Sequence, residues 1–195
     1  LINKSCTLFI SMDDFQLAQE ISKGNHKAFE DFFEQYKLKV MNLCYGMLHN
    51  RDDAEDLVQD IFVELYTSSG KFKGNSKLST WLYRIAVNKT INHIRKNKIK
   101  NLFLNIEDKS NVFVEEERVD LTIEEREKIA ELHKFIDKLP SKQKIALTLF
   151  VYDELPQKEI AEIMGVSVNS VEVLVFRAKQ NIKKLMIKEE TQSNI

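Results

Sequence analysis

The chain has few of the residues that mark β-rich, disulfide-stapled or metal-bound folds. Its 195 residues include only five Gly, two Pro and two Cys. Few turn-forming residues argue against a many-stranded β-fold, and Leu, Ile, Lys and Glu recur at helical spacing, so we expect an all-α chain. Cys6 and Cys44 lie far apart and outside any C-x-x-C or His cluster. The sequence therefore predicts neither a disulfide framework nor a metal site, and favours a reducing, cytoplasmic setting.

Long apolar runs and catalytic motifs are also missing. No run approaches the roughly 18 residues of a membrane span, so we expect no direct insertion into a membrane. The four His are scattered, and the sequence has no phosphate-binding loop and no nucleophile motif. It therefore predicts no obvious catalytic site. The sequence therefore predicts a protein that is not an enzyme and has no cofactor. A length of 195 residues gives room for one ordinary domain or two small ones, and a hydrophobic content of 43% is enough to fill packed cores.

Positive charge is concentrated in one block, although the formal net charge is only -1. The stretch from Lys71 to Lys100 contains nine Lys or Arg, no Asp or Glu, and the only Trp. Residues 1–70 and 107–131 are both strongly acidic. A basic block with aromatic residues is typical of a nucleic-acid surface, because phosphates attract cations and exposed rings stack on bases. A solvated basic face is the alternative.

The first half of the chain predicts three helices. Apolar residues keep helical spacing from His26 to His49, and the pattern breaks at Arg51 to Asp53 before a second helix through "AEDLVQDIFVELY". The polar side of this second helix carries an acidic ridge, formed by Asp52, Asp56, Asp60 and Glu64 with Gln59 beside them. Like charges at this spacing weaken an isolated helix by a few tenths of a kcal/mol each, roughly, so the ridge indicates either a basic partner or an ordinary solvated face.

The third helix is predicted from Ser79 or Thr80 to about Lys96, with either residue as its cap. One of its stripes should pack on the other helices. The other is formed by Trp81, Arg84, Asn88, Asn92 and Arg95, and the preceding loop adds Lys71, Lys73, Asn75 and Lys77. A ring, amides and guanidinium groups together suit stacking, base-edge hydrogen bonds and phosphate contacts. Trp81 as a core anchor is the alternative, and for a lone Trp the commoner case.

The second half contains the most specific pattern. Thr122 and Glu125 form a capping-box pair before an amphipathic helix that ends by Pro140. In "QKEIAEIMGVSVNSVEVLVF", Ala161 and Gly165 have the spacing of a helix-turn-helix, and Ser167 is placed to cap the second helix. A helical hairpin without a DNA-binding role is the alternative. Residues expected to face the major groove or its phosphates are Ser167, Asn169, Ser170, Glu172, Val173, Phe176, Arg177, Lys179 and Gln180.

Four strings in order resemble the extracytoplasmic-function sigma factors of bacterial RNA polymerase: "DAEDLVQDIFVELY", "FKGNSKLSTWLYRIAVN", "LPSKQKIALTLFVYDELPQKEIAEIMGVS" and "FRAKQNIKKL". The resemblance implies two small helical domains joined by a flexible linker. The boundaries are an extension with a short first helix (1–23), a region 2-like domain (24–97), a linker (98–121), a region 4-like domain (122–188) and a tail (189–195). Because Met12 opens a plausible first helix, we also expect residues 1–11 to lie upstream of the natural start.

The resemblance implies an alternative sigma factor with promoter DNA and core RNA polymerase as partners. The acidic segment with Asp56, Gln59, Asp60 and Glu64 matches the family segment that docks on the coiled coil of the largest polymerase subunit. The basic loop and the Trp81 stripe match the segment that opens the minus-ten element, and the helix-turn-helix matches the reader of the minus-thirty-five element. An anti-sigma protein is a further implied partner.

One pair of residues departs from the family pattern. Many relatives have a basic residue followed by Ser where this chain has Glu172 followed by Val173. Glutamate can accept a hydrogen bond from cytosine, and valine can contact a thymine methyl group. We therefore expect an upstream promoter element unlike that of better-known members.

Two other classes of function remain open from the residues alone. A stand-alone helix-turn-helix transcriptional regulator would account for the second half of the chain. It would leave the acidic ridge and the Trp81 helix without a function. A helical partner-binding protein without a DNA role leaves the helix-turn-helix unexplained.

Overall fold

Residues 12–104 and 122–193 are described in the computed structural model, and within these ranges the chain forms eight α-helices and a short 3-10 turn. The helices are α1 (Asp14–Ser22), α2 (His26–Leu48), α3 (Arg51–Ser68), α4 (Leu78–Leu104), α5 (Ile123–Asp137), α6 (Ser141–Val151), α7 (Gln157–Met164) and α8 (Val168–Ser193), and the 3-10 turn is Ser69–Lys71. We call α1 to α4 the first module and α5 to α8 the second. The predicted all-α fold is confirmed, and residues 1–11 lie outside the described residues.

Side-chain caps start the first three helices. Asp13 accepts a hydrogen bond from the Gln16 amide at 2.7 Å, and the Gln16 side chain accepts one from the Asp13 amide, which completes a capping box. Asn25 caps α2, and Asn50 caps α3 through the Asp53 amide at 3.0 Å. Because the first four amides of a helix lack partners within it, such caps fix where each helix begins.

The break between α2 and α3 comes earlier than the predicted Arg51 to Asp53, which lie inside α3. His49 ends α2 in the left-handed conformation, with φ 51°. Non-glycine residues rarely adopt this conformation, and apolar periodicity carries no information about it. The end of α2 at His49 was therefore not predicted.

The third predicted helix is longer at both ends. Its first helical bond joins the Trp81 amide to the Lys77 carbonyl at 3.1 Å, and Thr80 is buried inside the helix, so the predicted cap at Ser79 or Thr80 is wrong. The helix also continues past Lys96 to Leu104 because no Gly or Pro interrupts it. The first residues of the predicted linker, 98–104, are therefore helical. Its remainder up to residue 121 lies outside the described residues.

The turn of the helix-turn-helix has the predicted chemistry. Gly165 ends α7 with φ 65°, and its amide donates to the Ala161 carbonyl. Ser167 accepts a hydrogen bond from the Ser170 amide at 3.2 Å, as expected of a cap. The last helix continues to Ser193, so the predicted tail is helical over 189–193.

Apolar residues of the two modules form one contiguous core. Leu43, Ile61 and Leu82 are fully buried in the first module, and Leu149 and Ile160 in the second. The modules also touch directly, because α6 lies against α2 and α7 lies against α4. The structure therefore shows two helical modules packed on each other.

Candidate nucleic-acid interface

The acidic ridge of α3 is exposed along its length. Asp56, Gln59 and Asp60 are exposed and lie on the polar side of the helix, opposite the stripe that α2 and α4 bury. Glu64 differs from them, because its carboxylate lies 3.0 Å from the Lys89 ammonium group of α4. The centre of the ridge is therefore Asp56 to Asp60, and Glu64 is partly neutralised within the chain.

Sequence reasoning missed an apolar residue on this ridge. Val63 is 61% exposed and follows Asp60 by three positions and Asp56 by seven, so the three share a face of α3. Its position one residue outside the buried stripe was the available signal. A partner docking here would meet carboxylates around an apolar centre.

The basic loop before α4 is anchored by one aromatic residue. Phe72 is only 6% exposed, whereas Lys71, Lys73 and Asn75 are exposed. Gly74 has φ 70°, and a Cβ built on it would lie 3.4 Å from the Phe15 side chain. The loop thus presents its cations and amide to solvent, while the Phe72 side chain anchors it in the core and Gly74 lies close to Phe15.

Trp81 belongs partly to the core and partly to the surface. It is half-buried, packs against the apolar core, and has its ring centroid 5.5 Å from that of Phe72. Trp81 can therefore be both a core anchor and a ring available for base stacking. The Phe72 contact orients the ring, and part of its surface stays exposed.

The remaining residues of the Trp81 stripe follow one side of α4. Arg84, Asn88, Asn92 and Arg95 are all exposed. The structure thus brings together the ring, two amides and two guanidinium groups, with the basic loop at the N-terminal end of the helix.

Two cations of this surface have partners that the sequence did not predict. Lys77 lies 2.7 Å from the Glu159 carboxylate, and Arg84 donates through Nη2 and Nε to the Glu162 carbonyl oxygen at 2.7 and 3.2 Å. Both partners belong to α7. Glu162 lies in the last turn of α7, where carbonyl oxygens have no N–H donor within the helix, so Arg84 acts as its C-terminal cap.

The second helix of the helix-turn-helix, α8, presents the predicted face. Asn169, Glu172, Val173, Phe176, Arg177 and Gln180 are exposed, as is Ser167, and Ser170 is half-buried. Val173 and Phe176 are 45% and 62% exposed, so this face carries two apolar side chains that are open to solvent. Lys179 lies over the Phe150 ring at 5.1 Å. On the opposite face Val171, Val175 and Ala178 are buried.

Among the described residues there is neither a reactive cysteine nor a cluster of metal ligands. Cys44 is buried, and burial raises the pKa of its thiol to about 12, so the thiolate is scarce at neutral pH. Across residues 12–104 and 122–193, no group of three His, Cys, Asp or Glu could hold a metal ion. None of the described helices is both long and apolar enough to cross a membrane.

Comparison with known proteins first defines a class. The family model of sigma-70 region 2 matches residues 32–99, which include α3, the basic loop and most of α4. The model of sigma-70 region 4 matches residues 129–182, which include the helix-turn-helix. The two modules therefore define a sigma-70-type transcription initiation factor, a class of DNA-binding proteins rather than enzymes.

Relatives of similar length narrow the class to one family. The chain is 34% identical to the ECF RNA polymerase sigma factor SigW of Bacillus subtilis over 85% of this chain and 92% of SigW. It is 31% identical to the RNA polymerase sigma-H factor of Pseudomonas aeruginosa, over 89% and 93% of the two chains. The chain belongs to the extracytoplasmic-function (ECF) sigma factors of RNA polymerase. It is accordingly an alternative sigma factor.

Solved structures share the fold. CnrH, solved in complex with the cytosolic domain of CnrY, is 22% identical with a TM-score of 0.65, and the match covers 90% of this chain and 97% of CnrH. The sigma factor RpoE of Bartonella quintana, solved with the anti-sigma factor NepR, is 20% identical with a TM-score of 0.66, and the match covers 82% and 97%.

Proposed function

We propose that this sigma factor binds core RNA polymerase, recognises minus-ten and minus-thirty-five promoter elements and helps to melt the DNA at the start site. One observation carries the proposal: a single chain holds an exposed acidic ridge, a basic Trp-bearing helix and a helix-turn-helix. Each of the three surfaces suits a different partner of an initiation complex.

The acidic ridge is the proposed contact with core polymerase. Asp56, Gln59 and Asp60 are free of the core, and Val63 adds an exposed apolar centre. Carboxylates around such a centre suit a basic helical partner, because charge steers the encounter and apolar burial holds the complex. We include Glu64 in this surface, at its edge.

The surface of α4 is the proposed site of minus-ten opening. Extruding a base costs a few kcal/mol, while stacking on an aromatic ring returns about 1 to 3 kcal/mol per base. Stacking on Trp81 therefore needs support from phosphate contacts, for which Lys71, Lys73, Lys77 and Arg95 are available. Asn75, Asn88 and Asn92 carry amides that can reach base edges, and Arg84 can hold either a base or a phosphate.

The exposed face of α8 is the proposed reader of the minus-thirty-five element. Asn169, Arg177 and Gln180 can form hydrogen bonds with bases, while Val173 and Phe176 can contact thymine methyl groups. Ser167, Ser170 and Lys179 lie at its rim and suit phosphates. Glu172 can accept from cytosine but repels phosphate, which supports a promoter element particular to this chain.

Regulation and location follow from the same proposal. CnrH was solved with CnrY, and RpoE with the anti-sigma factor NepR. We propose that an anti-sigma protein likewise binds this chain, and that the chain acts in the cytoplasm, where RNA polymerase works.

Run-off transcription with purified core polymerase tests the proposed function. We expect transcripts from a selected promoter only when both core and this chain are present, and weak specific binding of the free chain to the same DNA. Tight promoter-specific binding without core would instead indicate a stand-alone regulator. Absence of both transcription and DNA binding would favour a partner-binding protein without a DNA role.

Replacing Arg177 with alanine should weaken minus-thirty-five binding. A lost bidentate base contact costs about 1 to 3 kcal/mol, so we expect roughly a 5- to 150-fold loss of affinity at that element. Footprinting of the holoenzyme measures the loss. Lys184→Ala, on the exposed side of the same helix, is the matched control and should reduce affinity for all sequences alike. Unchanged protection in Arg177→Ala would remove the residue from the reading face.

A further inference from the structure

The first helix lies along the basic loop that leads into α4. α1 packs against the 3-10 turn Ser69–Lys71 and against the start of α4. Phe15, Ala18 and Ser22 are spaced three and four positions apart, so they form one stripe of α1. Ala18, in the middle of this stripe, is fully buried.

Two glycines of the loop meet the two ends of this stripe. A Cβ built on Gly70 would lie 3.5 Å from the Ser22 Cβ atom. A Cβ built on Gly74 would lie 3.4 Å from the Phe15 Cβ atom and 3.5 Å from Cδ2 of its ring. Gly74 also has φ 70°, which glycine adopts without strain. The loop backbone therefore lies close to α1 at both positions.

Phe15 serves this contact rather than the core. Its side chain is 46% exposed. It is not among the described side chains that pack against the apolar core, whereas the neighbouring Leu17 is. One side of the Phe15 ring lies against the Gly74 backbone. Truncation of Phe15 should therefore disturb the loop much more than the core of the first module.

The cap of α1 fixes where the Phe15 ring lies. Asp13 and Gln16 form the capping box described above, so the helix begins at Asp14 and Phe15 lies in its first turn. Helix ends fray unless their free amides find partners, and this box supplies them. The first turn, and the ring with it, is thus held in place beside the loop.

Phe72 holds the same loop from its other side. It is buried, and its ring centroid lies 5.5 Å from that of Trp81. The two held residues, Phe72 and Gly74, alternate along the loop with Lys73 and Asn75, which are exposed. Ordering a free loop on binding costs conformational entropy, so a loop that is already ordered binds more tightly through the same contacts. The two anchors therefore present the Lys73 cation and the Asn75 amide in one arrangement.

We propose that Phe15 is a positioning residue for strand opening: its ring holds the Gly74 backbone, so that Lys73 and Asn75 meet the opened strand in a loop that is already ordered. The inference rests on the proposed function of the α4 surface. It adds to that surface a helix that the region 2 family model, which matches from residue 32 onward, does not include. Phe15 acts through the loop and does not itself touch DNA.

Hydrogen exchange in the full chain tests whether Phe15 holds the loop. We expect the amides of residues 73–76 to exchange about 5- to 20-fold faster in Phe15→Ala, because local opening becomes easier when a contact is lost. Phe15→Tyr keeps the ring and should keep exchange slow. The melting temperature of Phe15→Ala should fall by no more than about 4 °C, since the side chain is half exposed.

Leu38→Ala is the matched control for the loss of an exposed apolar side chain. Leu38 is 69% exposed on α2, and it too is not among the described side chains that pack against the core. Its replacement should leave exchange in the loop unchanged. Unchanged exchange in Phe15→Ala as well would overturn the positioning role.

A double-mutant cycle in the holoenzyme tests whether the held loop serves DNA. We expect Phe15→Ala to weaken binding of a single-stranded minus-ten oligonucleotide by about 5- to 10-fold, and Phe15→Tyr to bind like the unchanged chain. Lys73→Ala should cost about fivefold in the unchanged chain but less than about twofold in the Phe15→Ala background, because the two residues act through one loop. Association with core should stay within about twofold for every variant.

The remaining outcomes separate the inference from the function on which it rests. Equal effects of Lys73→Ala in both backgrounds would overturn the positioning role, because the order of the loop would then be irrelevant to DNA. Failure of the unchanged holoenzyme to bind the oligonucleotide would overturn the proposed function of α4 and the positioning role with it. Hydrogen exchange would in that case still show separately whether Phe15 holds the loop.

Discussion

Trp81→Ala should reduce promoter opening by the holoenzyme by about 5- to 150-fold, which corresponds to the 1 to 3 kcal/mol of one base stacked on an aromatic ring. Association with core polymerase should stay within about twofold, because α3 does not carry Trp81. Permanganate reactivity of unpaired thymines measures opening, and competition against a labelled sigma factor measures association. A lower permanganate reactivity with unchanged association would assign the effect of the substitution to DNA opening.

The position of Trp81 demands a second variant. Its ring packs against Phe72 and the core, so alanine also removes folding contacts. Trp81→Leu keeps an apolar side chain there but offers no aromatic face. We expect Trp81→Leu to melt within a few degrees of the unchanged chain and still to open DNA poorly. Normal opening by a stable Trp81→Leu chain would show that the residue is only a core anchor.

Local sequence chemistry was sufficient to predict the turn of the helix-turn-helix. Gly165 and Ser167 have the predicted roles, because caps and left-handed glycines depend on residues a few positions away. His49 escaped prediction, because a non-glycine residue seldom adopts φ 51°. The end of α4 escaped as well, because residues 95–99 are exposed and lack the periodicity that marks a packed helix.

The candidate site was predictable as a set of residues but not as an arrangement. Exposure of Asp60, Arg84 and Phe176 agrees with their positions on the helical wheel. The contacts of Lys77 and Arg84 with α7 join residues about eighty positions apart, and no local pattern encodes them. Gly46 carried a weak signal, because a glycine within a helix costs stability and can mark a packing contact. A Cβ built on it would lie 2.8 Å from Thr148 Cγ2 of α6. The sequence could not say that the other element is α6.

Asp60→Arg should weaken association with core polymerase by at least about tenfold. The exchange replaces an attraction with a repulsion at the centre of the ridge, and close charge pairs at interfaces are coupled by about 1.5 kcal/mol or more. Folding should be unaffected, because Asp60 is exposed and is not part of the buried stripe of α3. Titration of labelled core at two salt concentrations measures the affinity. The unchanged chain should lose affinity with salt more steeply than the variant.

Glu55→Arg provides the matched control on the same helix. Glu55 is exposed and pairs with Arg51 at 2.8 Å, and five residues of helix separate its direction from that of Asp60 by roughly 140°. This variant makes the same change in net charge but leaves the ridge intact, so its affinity for core should stay within about threefold. Equal losses in the two variants would mean that core responds to the overall charge of the module. Loss in Asp60→Arg alone would make the ridge a defined docking face that includes the exposed Val63 beside Asp60.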